Sequence, residues 1–340
     1  MKHAHRMTRP FVSRALAVLC LSFGLSAAAS AQQVIKIATL APDGSAWMKE
    51  LRTAAAEVQT NTQGRVQVKY FPGGVMGSDA VVLRKIRLGQ LQGGVLTSSE
   101  LAAVYPDAPI YGLPFLFSGW SQVDKVRPQI DPLLAKGFEG KGFHMLGASG
   151  VGFAYIMSIK PLHSKADMMG TKLWIPQNDV IAEKTFKMAG ISPIPLPLGD
   201  VFTSLQTGLV DTVANTPSGA VALQWHGKLR YMINLPLSYI IGFTLIDQKT
   251  WQKLTPADQA IVGKAFAAAS ARTDAGIKHG DDAALVAMQK QGLSVINMDA
   301  AETARWRDIG ARVTKQMETD KTVSPEMMAA IRKAVAGAGK

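Results

Sequence analysis

Cysteine is nearly absent from this sequence of 340 residues: its single member, Cys20, lies in a short apolar run near the beginning. A disulfide within the chain is therefore excluded, as are thiol catalysis and thiolate metal sites in the rest of the chain. No segment after this run approaches the roughly 20 consecutive apolar residues that a membrane-spanning helix needs. We expect a chain of this length to bury a large core without covalent cross-links.

The beginning of the chain has the composition of a cleaved secretory signal. Residues 1–14 carry four basic side chains and no acid, residues 15–25 are mostly apolar, and residues 26–31 read S-A-A-A-S-A. A basic start, a short apolar core and small residues at the end are typical of such signals. We predict cleavage after this segment, a mature chain that starts at Gln32 and a periplasmic location; the alternative is an uncleaved anchor or a disordered arm. Leucine precedes Cys20, where a lipoprotein needs a small residue, so we expect no lipid anchor.

Acidic residues are fewer than basic ones, with 25 Asp and Glu against 37 Lys and Arg and a formal net charge of +12. Four of the basic residues belong to the predicted signal, so the mature chain has 33 basic residues and a net charge of +8. These residues are spread along the chain, and no basic run is longer than two. A nucleic-acid site would concentrate them on one surface. We therefore interpret the charge as a solvated basic surface and expect no nucleic-acid partner.

Strand and helix patterns alternate in the first part of the mature chain. Strands are predicted at Val34–Leu40, Arg65–Tyr70 and Gly93–Thr97 from β-branched and alternating apolar residues. Helices are predicted after Ser45, which can cap the first turn, and through Leu88. This order indicates an α/β sheet with helices on its faces.

The same alternation begins again in the middle of the chain. Strands are predicted at Phe143–Gly147, Thr171–Ile175 and Leu209–Ala214, and helices at Asp179–Ala189 and after Asp200. Two α/β units in roughly 300 residues predict two domains of the size common in proteins. A crevice between two domains is where small ligands usually bind.

The last third of the sequence is predicted to be helical. Thr255-Pro256 is a helix start, because a capping residue precedes a proline in the first turn. The helix can continue to about Gln291, which at 1.5 Å per residue gives a length on the order of 50 Å. A helix of that length has to lie across both domains. A further helix is predicted to start at Ser324-Pro325.

Recognisable catalytic and cofactor-binding motifs are missing from the mature chain. Its four histidines, His144, His163, His226 and His279, are too far apart for a helix-borne metal site, and no G-x-S-x-G sequence is present. The glycines of Gly147–Gly152 stand in the wrong order for a dinucleotide loop, and we interpret this run as an ordinary loop. We expect no catalytic residues, no metal, no cofactor and no enzymatic activity.

Four segments carry a resemblance to a known family. They are Pro72–Asp79, Leu113–Phe117, Gly170–Pro176 and the longest match, Pro195–Asp211. By the order and spacing of these four segments over residues 34–320, the chain resembles the substrate-binding subunit of tripartite ATP-independent periplasmic (TRAP) transporters, the DctP family. Each string alone is weak evidence, but the set covers nearly the whole mature chain.

The resemblance implies an α/β fold of the two-domain periplasmic binding protein (Venus-flytrap) type. Hinge strands connect its domains, and a long C-terminal helix spans both. We expect domain I to comprise 32–152 with about 240–280, and domain II 153–239 with about 281–325, both α/β. A C-terminal helix and tail at 326–340 complete the chain.

The function implied by the resemblance is that of a transport receptor. Such a protein closes around one small-molecule solute and delivers it to membrane permease subunits driven by an ion gradient. Closure follows because a ligand that contacts both domains binds the closed state better. We expect a monomer. The alternatives are a receptor for a signalling partner or another transporter, a periplasmic enzyme on the same scaffold, and a structural protein without a ligand.

The chain departs from the family at the positions that contact a substrate carboxylate. Most relatives carry an arginine within the segment matching Gly170–Pro176, and this sequence has Trp174 there. A second arginine often follows a Gly-Phe pair, whereas Gly152-Phe153 is followed by Ala154. Arginine binds carboxylates through two charge-assisted hydrogen bonds, but tryptophan offers a broad apolar face and one N–H donor. We therefore expect a neutral, apolar or aromatic solute rather than a dicarboxylate.

Three alternatives stay open for this substitution. Trp174 can pack into the hinge without contacting the ligand. Lys172 can supply the missing positive charge, although the resemblance favours a structural role for it. A cation or cationic solute can bind through Glu100 or Asp43.

Further candidates for the ligand-binding site come from both domains. The resemblance implies that the Asn215 side chain reaches the ligand, and the alternative is a turn residue that caps its own backbone. Ser98 and Glu100 follow a predicted strand at its carboxyl end, where open sheets bind ligands, although Ser98 can instead cap a helix near Glu100. The remaining candidates are apolar side chains for the walls and the lid: Trp47, Phe153, Tyr155, Trp225 and Met76.

Overall fold

The computed structural model describes residues 32–339, so the predicted signal and Cys20 lie outside the described residues. The strands in this part of the chain are β1 (Gln33–Thr39), β2 (Val66–Phe71), β3 (Gly93–Thr97), β4 (Phe143–Ser158), β5 (Trp174–Pro176), β6 (Ile194–Leu196), β7 (Thr212–Asn215), β8 (Tyr231–Ile233), β9 (Ser238–Asp247) and β10 (Ser294–Ile296). The α-helices are α1 (Ala46–Asn61), α2 (Asp79–Arg87), α3 (Ser98–Leu101), α4 (Trp120–Glu139), α5 (Lys165–Met168), α6 (Val180–Met188), α7 (Val201–Thr207), α8 (Pro217–Ala222), α9 (Gln248–Gln252), α10 (Pro256–Lys290), α11 (Ala300–Thr319) and α12 (Pro325–Ala338). Within residues 32–339, no helix is both long enough and apolar enough to cross a bilayer.

One mixed sheet runs through the molecule, in the order β10-β8-β4-β9-β3-β1-β2, with β7 paired to β4. Strand β1 pairs in parallel with β2 and β3, whereas β9 is antiparallel to both β3 and β4. The long strand β4 pairs with β9 as far as Ala154 and with β7 from Tyr155 onwards. Strands β4 and β9 therefore connect two lobes, the first built on β1–β3 and the second on β7, β8 and β10.

The predicted two-domain α/β fold with connecting strands is confirmed. A separate two-stranded parallel sheet, β5–β6, accompanies the second lobe. The residue limits of the domains (32–152 with about 240–280, 153–239 with about 281–325, and 326–340) stay a prediction, because β4 and β9 run through the boundary.

The glycine-rich run Gly147–Gly152 is not a loop, as the sequence suggested, but lies inside β4. Its register against β9 shifts between Met145 and Gly147 and again between Gly150 and Gly152. Glycines inside strands often mark such bulges, where one extra residue bends the strand. At Gly152 φ is +125°, which disfavours other residues, and this kink lies just before β4 passes from one lobe to the other.

Helix α1 shows how the sequence forms and buries the elements of the first lobe. The Ser45 hydroxyl accepts a hydrogen bond from the Met48 N–H at 3.3 Å and caps the first turn. The buried face contains Met48, Leu51, Ala54 and Val58, at helical spacing. These side chains share a core with Ile35 and Ile37 of β1. The helix is therefore fixed both by its cap and by its apolar face.

The predicted long helix is confirmed as α10, which packs on α1 in the first lobe and on α8 in the second. In the middle of the helix Arg272 forms an ion pair with Glu50 of α1 at 2.6 Å. Further towards its C-terminus Asp281 accepts a hydrogen bond from the Ser218 N–H at 3.0 Å. Helix α10 thus braces both lobes.

Candidate functional site

A cavity of about 240 Å³ lies between the two lobes. From the first lobe it is lined by residues such as Thr39, Trp47 and Ser98, and from the second by Trp174 and Asn215. Most of the remaining lining side chains are apolar, including Leu40, Ala41, Pro42, Leu51, Val95, Leu96, Val151, Ile175, Ile181, Phe186, Leu198, Leu223, Leu237 and Ile240. The carboxyl end of β3 contributes to one wall, which is the usual place for ligands of open sheets.

Trp174 is only 2% exposed and forms part of the second-lobe wall of the cavity. Its indole Nε1–H donates a hydrogen bond to the Leu196 carbonyl at 2.9 Å, across the β5–β6 pair. Its ring packs edge-on against Trp225, with ring centres 5.3 Å apart. The single polar group of Trp174 is therefore already used, and the side chain offers the cavity only apolar surface.

Asn215 lies at the end of β7, buried in the wall of the same cavity. Its Oδ1 accepts a hydrogen bond from the Thr216 N–H at 2.8 Å, immediately before α8. Within residues 32–339, its Nδ2 makes no hydrogen bond. The oxygen thus stabilises the turn before α8, and the Nδ2 group is available as a donor to a ligand.

Two further candidates of the first lobe line the cavity. Trp47 of α1 is half-buried, and its Nε1–H points to the Gly150 carbonyl of β4 at 3.4 Å. Ser98 is buried and is the first residue of α3, whose N-cap position belongs to Thr97. The expectation that Ser98 caps a helix near Glu100 is therefore wrong, because this helix begins two residues earlier.

The structure does not bring the other candidates into the cavity wall. Phe153 is buried behind it against Tyr239 and Trp120, with ring centres 5.5 and 5.1 Å apart. Tyr155 is the cross-strand partner of Asn215, and Trp225 supports Trp174 from behind. Two more candidates stand outside the lining. Met76 packs against the core beside α2, and Glu100 accepts a hydrogen bond from Asn178 at 2.6 Å at the edge of the cleft.

No lysine, arginine or histidine is among the cavity-lining residues in the described part of the chain. Lys172 is exposed, and its Nζ donates to the Gly208 carbonyl at 2.8 Å. Asp43 is also exposed and pairs with Arg52. Neither of these alternatives for charge recognition therefore reaches the cavity.

The cavity instead contains two carboxyl groups that sequence reasoning missed, Asp79 of the first lobe and Asp179 of the second. Burial, aided by the negative charge of Glu100, raises the pKa of each to about 6. Asp79 belongs to the matched segment Pro72–Asp79 and is the first residue of α2. Its carboxyl group meets Thr97 at the end of β3, 18 residues further along the chain, and the local sequence carries no signal for this contact.

The fold and the cavity define the class of two-lobed solute-binding receptors. Residues 37–320 match the family model of the bacterial extracellular solute-binding proteins, family 7 (DctP), and the chain belongs to this family. It is 27% identical over 344 residues to the C4-dicarboxylate-binding periplasmic protein DctP of Rhodobacter capsulatus, covering 97% of this chain and 99% of that protein. The resemblance to TRAP substrate-binding subunits is thereby confirmed, and the chain is a solute receptor of the TRAP type.

Solved structures of TRAP receptors share the same fold. A TRAP periplasmic solute-binding protein from Desulfovibrio salexigens with bound orotic acid superposes with a TM-score of 0.83 at 22% identity, covering 90% of this chain and 100% of that one. The sugar acid binding protein DctPAm from Advenella mimigardefordensis in complex with galactonate gives 0.84 at 22% identity, covering 90% and 99%. The family and the fold are those of substrate-binding receptors.

Proposed function

We propose that this TRAP-type receptor captures a small, largely apolar solute that has no carboxylate, in the cavity between its lobes. The observation that carries the proposal is the absence of Lys, Arg and His from the cavity lining within residues 32–339. Two structurally similar receptors are described with orotic acid and galactonate. An acidic solute enclosed here would meet Asp79 and Asp179 instead of a positive charge.

The energetic argument is one of desolvation. A carboxylate moved from water into a closed cavity without a partner loses its hydration and gains no compensating bond. Apolar ligand surface gains about 25 cal/mol for each Å² that is removed from water. A ligand face of roughly 100 Å² against Trp174 and its apolar neighbours would thus contribute about 2–3 kcal/mol.

The remaining parts of the proposal concern the setting in which the receptor works. We propose that cleavage after Ala31 releases the mature chain into the periplasm, where it acts as a monomer. It delivers its solute to TRAP permease subunits and catalyses no reaction. The bracing of both lobes by α10, with β4 and β9 as connecting strands, supports closure around a ligand as the working motion.

The test is a comparison of two ligands with the purified mature protein. We expect 2-phenylethanol to raise the melting temperature and succinate to leave it unchanged, because only the former offers apolar surface without a carboxylate. Trp174→Leu should weaken 2-phenylethanol binding roughly tenfold, since about 1.4 kcal/mol of wall contact is lost. Calorimetric titration measures both affinities.

Trp251→Leu is the matched control, because Trp251 stacks on His144 outside the cavity lining. This variant should bind 2-phenylethanol as the unmodified protein does. Micromolar binding of succinate that survives Lys172→Ala, without binding of 2-phenylethanol, would contradict the proposal.

A further inference from the structure

We infer that the solute carries a protonated nitrogen and that Asp79 is the residue that binds it. The inference rests on the proposed function and specifies its ligand as an apolar body with an ammonium group. It follows from one carboxyl oxygen of the cavity that is buried and has no partner.

Asp79 is only 1% exposed, and its two oxygens have different surroundings. Oδ2 accepts hydrogen bonds from the N–H and the hydroxyl of Thr97, both at 2.9 Å. Oδ1 is buried and has no hydrogen-bond partner within residues 32–339. A buried carboxylate oxygen without a donor is costly, so a donor brought by the ligand satisfies it.

Among buried side-chain atoms of the described residues, Asp79 Oδ1 is the one carboxyl oxygen without a hydrogen bond. Other buried acids are satisfied by the protein itself. Asp258 accepts from Arg65, Asp107 accepts from the N–H and hydroxyl of Ser324, and Glu302 accepts from Arg305. Asp79, which lines the cavity, therefore differs from these acids in having an oxygen without a hydrogen bond.

A second carboxyl group faces the same cavity from the other lobe. Asp179 caps α6, and its Oδ1 accepts a hydrogen bond from the Ala182 N–H at 2.9 Å. Burial raises the pKa of both Asp79 and Asp179, and the negative charge of nearby Glu100 adds to the rise at each. With the pKa of each aspartate at about 6, both are mostly ionised at neutral pH. An ammonium group in the cavity meets negative charge from each lobe, and so favours the closed state.

A bare metal ion does not fit this site. Within the described residues, no group of three or more His, Cys, Asp and Glu side chains is arranged to hold one. The apolar walls around the carboxyl groups instead suit an organic cation, whose carbon skeleton they cover.

The test uses three probes with one carbon skeleton: 2-phenylethylamine, 2-phenylethanol and phenylacetate, titrated at pH 7.5. We expect the amine to bind at least roughly tenfold more tightly than the alcohol and phenylacetate to bind most weakly, because a charge-assisted hydrogen bond replaces a neutral one. Asp79→Asn should reduce the affinity for the amine to that for the alcohol. The new amide oxygen can still accept from Thr97, so binding of the alcohol should persist.

Asp124→Asn is the matched control, because Asp124 is exposed on α4 and should change none of the affinities. If Asp79→Asn does not fold, Asp79→Ser takes its place, because it removes the same carboxylate and serine is favoured at the start of a helix. The inference is overturned if the amine binds no more tightly than the alcohol, if it does not bind at millimolar concentration, or if the folded Asp79 variant retains the preference for the amine. Binding of the alcohol alone would leave the proposed function intact, whereas tightest binding of phenylacetate would overturn both.

Discussion

Two groups of carboxylates in this receptor differ in whether a basic side chain lies beside them. Behind the cavity, Arg127 of α4 pairs with Asp274 at 2.6 Å and with Asp131 at 3.1 Å, and donates to the Ala148 carbonyl. In the cavity, Asp79 and Asp179 have no basic side chain beside them among the lining residues that the structure describes. Burial raises the pKa of Asp131 as well, but Arg127 counteracts it, whereas nothing basic opposes the rise at Asp79.

The two clusters therefore differ in whether their charges stabilise the fold or are available to a ligand. The Arg127 cluster joins α4 to α10 and to β4, and each of its carboxylates has the Arg127 guanidinium as a partner within the protein. The aspartates of the cavity keep a charge that the protein does not neutralise. Removing a residue should therefore have opposite effects on stability in the two clusters.

The largest change in stability, a decrease, is expected from Arg127→Met. This change leaves the Asp131 and Asp274 carboxylates without their buried partner, and breaking such a pair typically costs about 3–5 kcal/mol. The free energy of unfolding, measured with urea, should fall by roughly that amount. The control is Arg312→Met, because Arg312 pairs with Asp308 at the exposed surface, where ion pairs contribute about 0–1 kcal/mol. Equal losses in both variants would remove the contrast between a structural cluster and a surface pair.

A smaller change in the free energy of unfolding, and in this case an increase, is expected from Asp79→Asn in the absence of ligand. The pKa of Asp79 is raised from 3.8 to about 6, so the folded state holds this proton more tightly than the unfolded state. The contribution of Asp79 to stability thus falls as pH rises from about 4 to about 6, and the penalty is complete above that range. The variant should be more stable by up to about 3 kcal/mol at pH 7.5, with the gain vanishing near pH 4.

Melting curves of both proteins across pH 4–8 measure this dependence, with Asp124→Asn as the exposed control. A gain that is the same at every pH would mean that the charge of Asp79 is not its cause.

The smallest change is expected from Glu100→Gln, and it concerns the pKa values of the two cavity aspartates. The negative charge of Glu100 raises the pKa values of Asp79 and Asp179, so its removal should lower both by a fraction of a unit. Glutamine can still accept the hydrogen bond from Asn178. Carboxyl-carbon NMR titrations measure the two pKa values, and the exposed Glu326→Gln is the control. Unchanged values in Glu100→Gln would show that Glu100 does not act on the cavity.

Most of the fold could be predicted from local sequence signals. The Thr255 hydroxyl accepts from the Asp258 N–H at 3.2 Å, as its position before Pro256 predicts, and the helix ends at Lys290, one residue short of the expected bound. Strand β3 has the predicted bounds. Such signals succeed because caps and apolar periodicity act over a few residues.

Helix α4 was missed, since Pro128 and Pro132 interrupt its pattern. Both prolines are exposed on one face of the helix, where the carbonyl groups that lose their intrahelical partner can reach water. The buried face, with Val123, Val126 and Ile130, packs on the core and outweighs the local cost. Here tertiary packing overrides the local preference.

Local sequence signals were sufficient for the alternation of strands and helices in the two lobes, for the long helix α10 and for the family. They carried no sign that the Trp174 N–H bonds to the Leu196 carbonyl or that an oxygen of Asp79 is buried without a hydrogen bond at the cavity. The difference lies in how far apart in the sequence the interacting residues are. Caps and periodic faces are contacts between near neighbours, whereas burial and pairing of a charge depend on residues that are distant in the chain and meet only when the lobes are assembled.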